Sequence, residues 1–210
     1  LYLCRALGEF AVPEAVAPLV EQARQAAAPT RARAAVEALS VLAANLAAAG
    51  EKWDEQAVAG AVIAASRESD PALVSAAAFT LGVVGGPGAA DRLVALLADG
   101  NDDVRSNAAI GLARLGRVEA FPTLAEMLAL PDVTAPPGDA EALSARYKRA
   151  LVVVNALRAT ALLVDAGVAE PPADVVRLVA ALADDPLSDV RTAAAALQKK
   201  LRRVEAAGGR

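Results

Sequence analysis

Residues 69–85 (SDPALVSAAAFTLGVVG) and residues 100–116 (GNDDVRSNAAIGLARLG) repeat one pattern at an offset of 31 residues. Gly85 corresponds to Gly116, and the match continues as far as Leu97 and Leu128. A fixed period of about 20–50 residues is typical of arrays in which each unit packs only on its neighbours. The pattern therefore predicts a repeat protein and favours a scaffold or binding surface, without identifying the partner.

The composition favours closely packed helices. Hydrophobic residues make up 56% of the 210 residues, whereas aromatic residues make up only 3%. Alanine is the most frequent residue, and it is also the best helix former. A β-sandwich would need more β-branched and aromatic residues. We therefore expect an all-α fold without a β-sheet.

Each repeat reads as helix A, a turn, helix B and a second turn. In the repeat at 100–130, polar residues 101–103 offer caps for helix A, and Gly116 ends that helix. Apolar residues recur at steps of three and four, for example at Val104, Ala108 and Leu112, which predicts one buried face. Helix B then follows over about residues 119–130.

This template predicts one solenoid domain over residues 1–210, with about five to six antiparallel helical hairpins. The repeats lie at 1–28, 29–68, 69–99, 100–130 and 139–184, with a terminal helix at 186–205 and an irregular linker at 131–138. The second repeat is longer, and its extra residues fall mostly in the turn at 47–54. Since the first hairpin is truncated, we expect additional repeats or domains on its N-terminal side in a longer chain.

The charged and chemically reactive residues limit the function classes. The chain has no histidine and one cysteine, Cys4. Histidine is the commonest general base and metal ligand, so we expect no cofactor, no metal and no enzyme activity. No disulfide can form within the chain, which leaves the compartment unknown and favours the cytoplasm.

Two partner classes are not favoured either. The net charge is −4, whereas a nucleic-acid binder carries a basic face. Residues 71–90 carry no charge and are long enough to suggest a membrane span, but the sequence GGPG at 85–88 interrupts them. We therefore expect a protein or peptide partner, no nucleic acid and no membrane.

Residues 103–116 (DVRSNAAIGLARLG) resemble the first helix of the short HEAT-like repeats of phycobilisome-lyase-type proteins. Residues 5–20 (RALGEFAVPEAVAPLV) resemble the junction and second helix of that unit, and residues 189–194 (DVRTAA) resemble its start. The resemblance implies a right-handed α-solenoid of the armadillo/HEAT type, in which B helices line a concave face that binds partners.

Some relatives of this family are enzymes. The hydroxylases built on such hairpins use paired His-Glu ligands, and the DNA-glycosylase-like members use a basic groove. This chain has neither histidine nor a basic balance. The resemblance thus implies a non-catalytic protein-interaction module, with a subunit or domain of an enzyme such as a tetrapyrrole (bilin) lyase-like protein as the alternative.

Charged positions recur on the outward ridge of the B helices. In the aligned repeats Arg92 corresponds to Thr123 and Arg177, and Asp99 corresponds to Gln25 and Asp184. Glu21 and Glu126 share an intervening position. These residues predict either a mixed-charge strip for a peptide or a helix face that is charged only for solubility.

Trp53 is the only tryptophan and lies in the extended turn at 47–54. Tryptophan is enriched at binding hot spots, so Trp53 is a candidate partner anchor; alternatively, it pins the turn onto the helices. Asp103 and Arg105 are interpreted structurally, with Asp103 capping its helix and Arg105 reaching a neighbouring repeat. The same interpretation applies to Asp189 and Arg191.

Overall fold

The computed structural model describes residues 2–25, 27–136 and 138–208, without the side chains of 205–208. Leu1, Ala26, Pro137, Gly209 and Arg210 lie outside the described residues. The predictions that fall on them are Leu1 and Ala26 of the first repeat, 1–28, and Pro137 of the linker, 131–138. The chain forms two compact units, Leu1–Leu115 and Gly116–Arg210, and each is described by itself.

Unit 1 is built from two layers of helices. The A helices of unit 1 are α1 (Tyr2–Glu9), α3 (Pro29–Ala49), α5 (Pro71–Val84) and α7 (Asp102–Arg114). The B helices are α2 (Val16–Ala23), α4 (Glu55–Ala65) and α6 (Ala89–Leu96), and a 3₁₀ turn at Pro13–Ala15 leads into α2. In the A layer, α1 packs on α3, α3 on α5 and α5 on α7. Helices α3, α5 and α7 also pack on B helices.

The A helices of unit 1 approach one another closely because small residues face each other. A Cβ placed on Gly82 of α5 would lie 2.3 Å from the Cα atom of Gly111 on α7. A Cβ on Gly8 of α1 would lie 2.9 Å from the carbonyl oxygen of Ala38 on α3. The hydroxyl of Thr80 is buried and donates to the carbonyl of Val36 at 3.2 Å, which joins α5 to α3.

Polar caps, prolines and glycines begin and end these helices. Asp70 caps α5 by accepting from the Leu73 amide at 2.8 Å, and Pro71 occupies the first turn. Gly50 ends α3 in the left-handed conformation at a φ of 71°, which glycine adopts without strain. Helix α5 thus begins directly after its cap, within the predicted repeat at 69–99.

Unit 2 contains α8 (Phe121–Leu128), α9 (Ala140–Ala166), α10 (Ala173–Ala181) and α11 (Ser188–Gly208), with 3₁₀ turns at Val118–Ala120 and Leu182–Asp184. The A helices of this unit, α9 and α11, pack on each other, and α10 packs on α8 and α11. Asp139 caps α9, since its carboxylate accepts from the Ala142 amide at 2.9 Å.

The described residues contain no strand, so the prediction of an all-helical α-solenoid is confirmed. The single domain over 1–210 stays a prediction. One helix in the described part of the chain, α3, is long and apolar enough by length and composition to cross a membrane. Its most apolar window is 56% buried inside the protein, as is common for a core helix, so this is weak support for a membrane span.

Candidate functional site

A cavity of about 480 Å³ opens on the B-helix layer of unit 1, between α2 and α4. Its apolar walls come from both helices and from the turn before each of them. We call it the Trp53 cavity; it is lined by Pro13, Val16, Ala17, Val20, Glu21, Arg24, Trp53, Asp54 and Ala57. The volume lies in the range of small-ligand and side-chain pockets, about 300–1,000 Å³.

The turn that carries Trp53 is held at both ends. After Gly50, the Glu51 amide donates to the carbonyl of Leu46 at 2.9 Å. At the other end Asp54 caps α4, because its carboxylate accepts from the Ala57 amide at 2.8 Å. Trp53 is half-buried between these two fixed points. The extended turn therefore places an aromatic ring against α2.

Two residues predicted separately as candidates meet in this cavity. Glu21 and Trp53 are 32 positions apart in the sequence, and both line it. Glu21 is exposed, so its carboxylate stands at the rim. Arg24 and Asp54 complete the rim and were missed by the sequence analysis. The signal was available, because Arg24 follows Glu21 by one helical turn and Asp54 follows Trp53 directly.

Arg92 is partly buried and has an intramolecular partner. Its Nε donates to the Ser66 hydroxyl at 2.8 Å, and its Nη2 donates to the Ser66 carbonyl at 2.6 Å. Ser66 is the buried C-terminal cap of α4, where a cation is favourable. Burial lowers the pKa of Arg92, Arg67 lowers it further, and Asp99 raises it. Arg92 therefore braces α6 against the end of α4 and does not belong to the candidate site.

Asp99 also belongs to a turn. Its carboxylate accepts from the Asn101 amide at 2.9 Å, and its carbonyl accepts from Arg105 at 2.8 Å. Arg105 thus reaches the end of the preceding repeat, as predicted. The prediction that Asp103 caps α7 is wrong, because the Asn101 side chain accepts from the Asp103 and Val104 amides at 2.9 and 3.2 Å.

The same turn recurs in unit 2 one position later than the sequence alignment placed it. Asp185, rather than Asp184, accepts from the Leu187 amide at 3.0 Å, and its carbonyl accepts from Arg191 at 2.7 Å. Asp185 also forms a buried ion pair with Arg149, which the sequence analysis missed. Arg149 donates in addition to the carbonyl of Leu130 at 3.1 Å.

The remaining predicted residues lie in unit 2. Glu126 on α8 and Arg177 on α10 are exposed, and no hydrogen bond or ion pair of theirs occurs in the described part of the chain. Their role as partner contacts stays a prediction. No group of three or more Cys, Asp and Glu residues close enough to hold a metal ion occurs among the described residues.

The stacked helical hairpins define the class of the protein as an α-solenoid. Within it, residues 58–136 match the family model of HEAT repeats. No curated protein matches the sequence. The structure of human deoxyhypusine hydroxylase in complex with glycerol is similar, with 19% identity and a TM-score of 0.44, over 96% of this chain and 78% of that one.

This likeness corrects one prediction. The expectation of no enzyme activity is contradicted, because the similar structure is that of a hydroxylase. At 19% identity the likeness transfers no reaction, substrate or residue to this chain. The absence of histidine is therefore a limit on ligand chemistry and not an argument against catalysis.

Proposed function

We propose that the chain is a protein-binding α-solenoid module, and that the Trp53 cavity accepts a side chain of an extended peptide segment of the partner. The observation that supports this proposal most directly is the convergence of Glu21 and Trp53 in one cavity. Tryptophan and arginine are the residues most enriched at binding hot spots, and Arg24 stands at the same rim.

The chemistry of the cavity limits the segment that it fits. The walls contributed by Val16, Val20 and Ala57 are apolar, so they favour an aliphatic side chain of the partner. Glu21 and Asp54 place two carboxylates at the rim against the single cation of Arg24. A partner residue that is basic and adjacent to the aliphatic one would therefore be attracted by the rim.

The narrower resemblance to repeats of phycobilisome-lyase-type proteins belongs to the same proposal. It rests on residues 103–116 and supports binding by a helical surface. The proposal concerns binding and assigns no reaction. The B-helix layer of unit 1 provides the surface, and the close packing of the A helices holds the shape of that surface before the partner arrives.

The experiment is a selection of displayed random peptides against the full chain, followed by calorimetric titration of the selected peptides with variants. We expect Trp53→Ala and Glu21→Lys each to weaken binding by about tenfold or more, as loss of a hot spot does. Glu126→Lys and Arg177→Glu are matched controls, since these residues are exposed and do not line the cavity.

The outcomes separate clearly. Weakening at Trp53 and Glu21 alone, with basic residues enriched in the peptides, supports the proposal. Peptides whose binding survives both substitutions, or depends on Glu126 and Arg177 instead, overturn it.

A further inference from the structure

A second groove lies in unit 2, along α9 and α11. It has a volume of about 580 Å³. Its floor is buried and apolar, and includes Val154, Leu157 and Leu197. Tyr147 and Leu151 form one end of its rim and are 60% and 61% exposed. The groove thus combines a buried floor with two large apolar side chains in contact with solvent.

The residues of α11 explain why the groove is open. Opposite α9, this helix presents Ala193 and Ala196, whose side chains are too short to cover the larger residues of α9. Tyr147 and Leu151 are four positions apart on α9, so they lie on one face of the helix. Two adjacent apolar side chains left uncovered beside an open groove are typical of an interaction surface rather than of scattered surface residues.

The charges along the groove differ between its ends. Arg158 and Lys200 lie towards the C-terminal ends of α9 and α11, whereas Asp189 lies in the first turn of α11. Lys200 is paired with Asp165. Arg158 is exposed and makes no hydrogen bond or ion pair within residues 2–25, 27–136 and 138–208. Its guanidinium is therefore free to receive a carboxylate.

The spacing of these groups matches a helix. Leu151 and Arg158 are seven positions apart, which is about two turns or about 10 Å along α9. In a second helix lying along the groove, residues at i and i+7 span the same distance on one face. An apolar side chain at i would meet Tyr147 and Leu151, and a carboxylate at i+7 would meet Arg158.

We propose that this groove is a docking site for an amphipathic helix of a partner protein, with an apolar stripe and an acidic residue two turns from its first apolar anchor. This site is separate in sequence and chemistry from the Trp53 cavity, where the rim carries more carboxylates than cations.

The test uses a fluorescently labelled synthetic helical peptide of about 18 residues, or five turns, with leucines along one face and a glutamate seven positions after the first leucine. A second peptide carries lysine in place of that glutamate. Fluorescence anisotropy with the full chain measures both affinities. We expect the glutamate peptide to bind about tenfold more tightly, because its charge meets Arg158 across the groove.

Variants of the chain locate the binding. Leu151→Glu is expected to abolish binding of the glutamate peptide, and Arg158→Glu to reverse the preference in favour of the lysine peptide. Leu143→Glu is the matched control: Leu143 lies on the same helix, is 45% exposed and does not line the groove. Trp53→Ala is also expected to leave this binding unchanged, which separates the result from that for the Trp53 cavity.

Circular dichroism spectra of each variant verify that it is folded. Equal affinity of the two peptides, absence of binding by both, or an equal loss with Leu143→Glu and Leu151→Glu would overturn the proposal.

Discussion

The two layers of unit 1 are packed in different ways. In the A layer, backbones approach so closely that Gly82 of α5 has no room for a Cβ atom beside Gly111 of α7. In the B layer, a Cβ added to Gly60 of α4 would have no other atom within 4 Å. The Trp53 cavity also lies in this layer, between α2 and α4. The A helices therefore leave no room for an added atom where α5 crosses α7, whereas the solvent-facing side of the B layer has space for a partner.

The largest effect on the free energy of unfolding is expected when a glycine is replaced by alanine in the A layer, and the same replacement in the B layer is the comparison. Gly82→Ala places a methyl group against the backbone of Gly111, and overpacking of this kind lowers the free energy of unfolding by about 1–3 kcal/mol. Gly60→Ala adds the same methyl group in open space on a helix, where alanine stabilises by about 0.5–1 kcal/mol. Urea denaturation followed by circular dichroism measures both. Changes of the same sign would contradict the account of the two layers.

The brace between α6 and α4 gives the next largest effect. Arg92→Ala removes two hydrogen bonds from a charged group to Ser66, and we expect a loss of about 1–2 kcal/mol in the free energy of unfolding. Arg67→Ala is the control, because Arg67 is exposed and lies near the same site. If Arg92→Ala lowers the thermal midpoint no more than Arg67→Ala does, Arg92 does not brace the two helices and is again a candidate for binding a partner.

A smaller effect distinguishes the two candidate caps of α7. Asn101→Ala removes the side chain that accepts from the Asp103 and Val104 amides, which costs about 1 kcal/mol. Asp103→Ala removes only a favourable charge in the first turn, worth about 0.3–1 kcal/mol. Denaturant midpoints of the two variants test the assignment. A greater loss with Asp103→Ala would restore Asp103 as the cap.

The smallest effect on stability is expected at Trp53. Its ring is half-buried beside a cavity, so Trp53→Ala removes few contacts and is expected to lower the free energy of unfolding by about 1 kcal/mol or less. Peptide affinity, by contrast, should fall. A thermal midpoint that drops as far as it does for Gly82→Ala would show that Trp53 pins the turn and is not an anchor for a partner.

The sequence predicted the helices well because their signals are local. The helix at 71–84 has a cap at Asp70, a proline in its first turn and a glycine at its end. Single residues on the B-helix ridge were less predictable. A charged residue such as Arg92 gives the same pattern whether it faces solvent or reaches a neighbouring helix end, and only the fold distinguishes these cases.

The site was predicted as separate residues and not as a cavity. The turn at 47–54 departs from the repeat, so the period gave no register for placing Trp53 beside Glu21. The shift from Asp184 to Asp185 has a similar cause, because a 3₁₀ turn at Leu182–Asp184 changes the register before α11. Gly82 and Gly111 come close only where α5 crosses α7. A pattern along the sequence does not show where two helices cross.

The most direct test of the binding role of the B layer is the fluorescence of Trp53 during titration with a selected peptide. The chain contains one tryptophan, so the emission spectrum reports on this cavity alone when the peptide contains none. The account predicts a blue shift and protection from acrylamide quenching as the peptide covers the half-exposed ring, saturating at the affinity measured by calorimetry. An unchanged spectrum at full binding would show that the peptide binds elsewhere and would contradict the account.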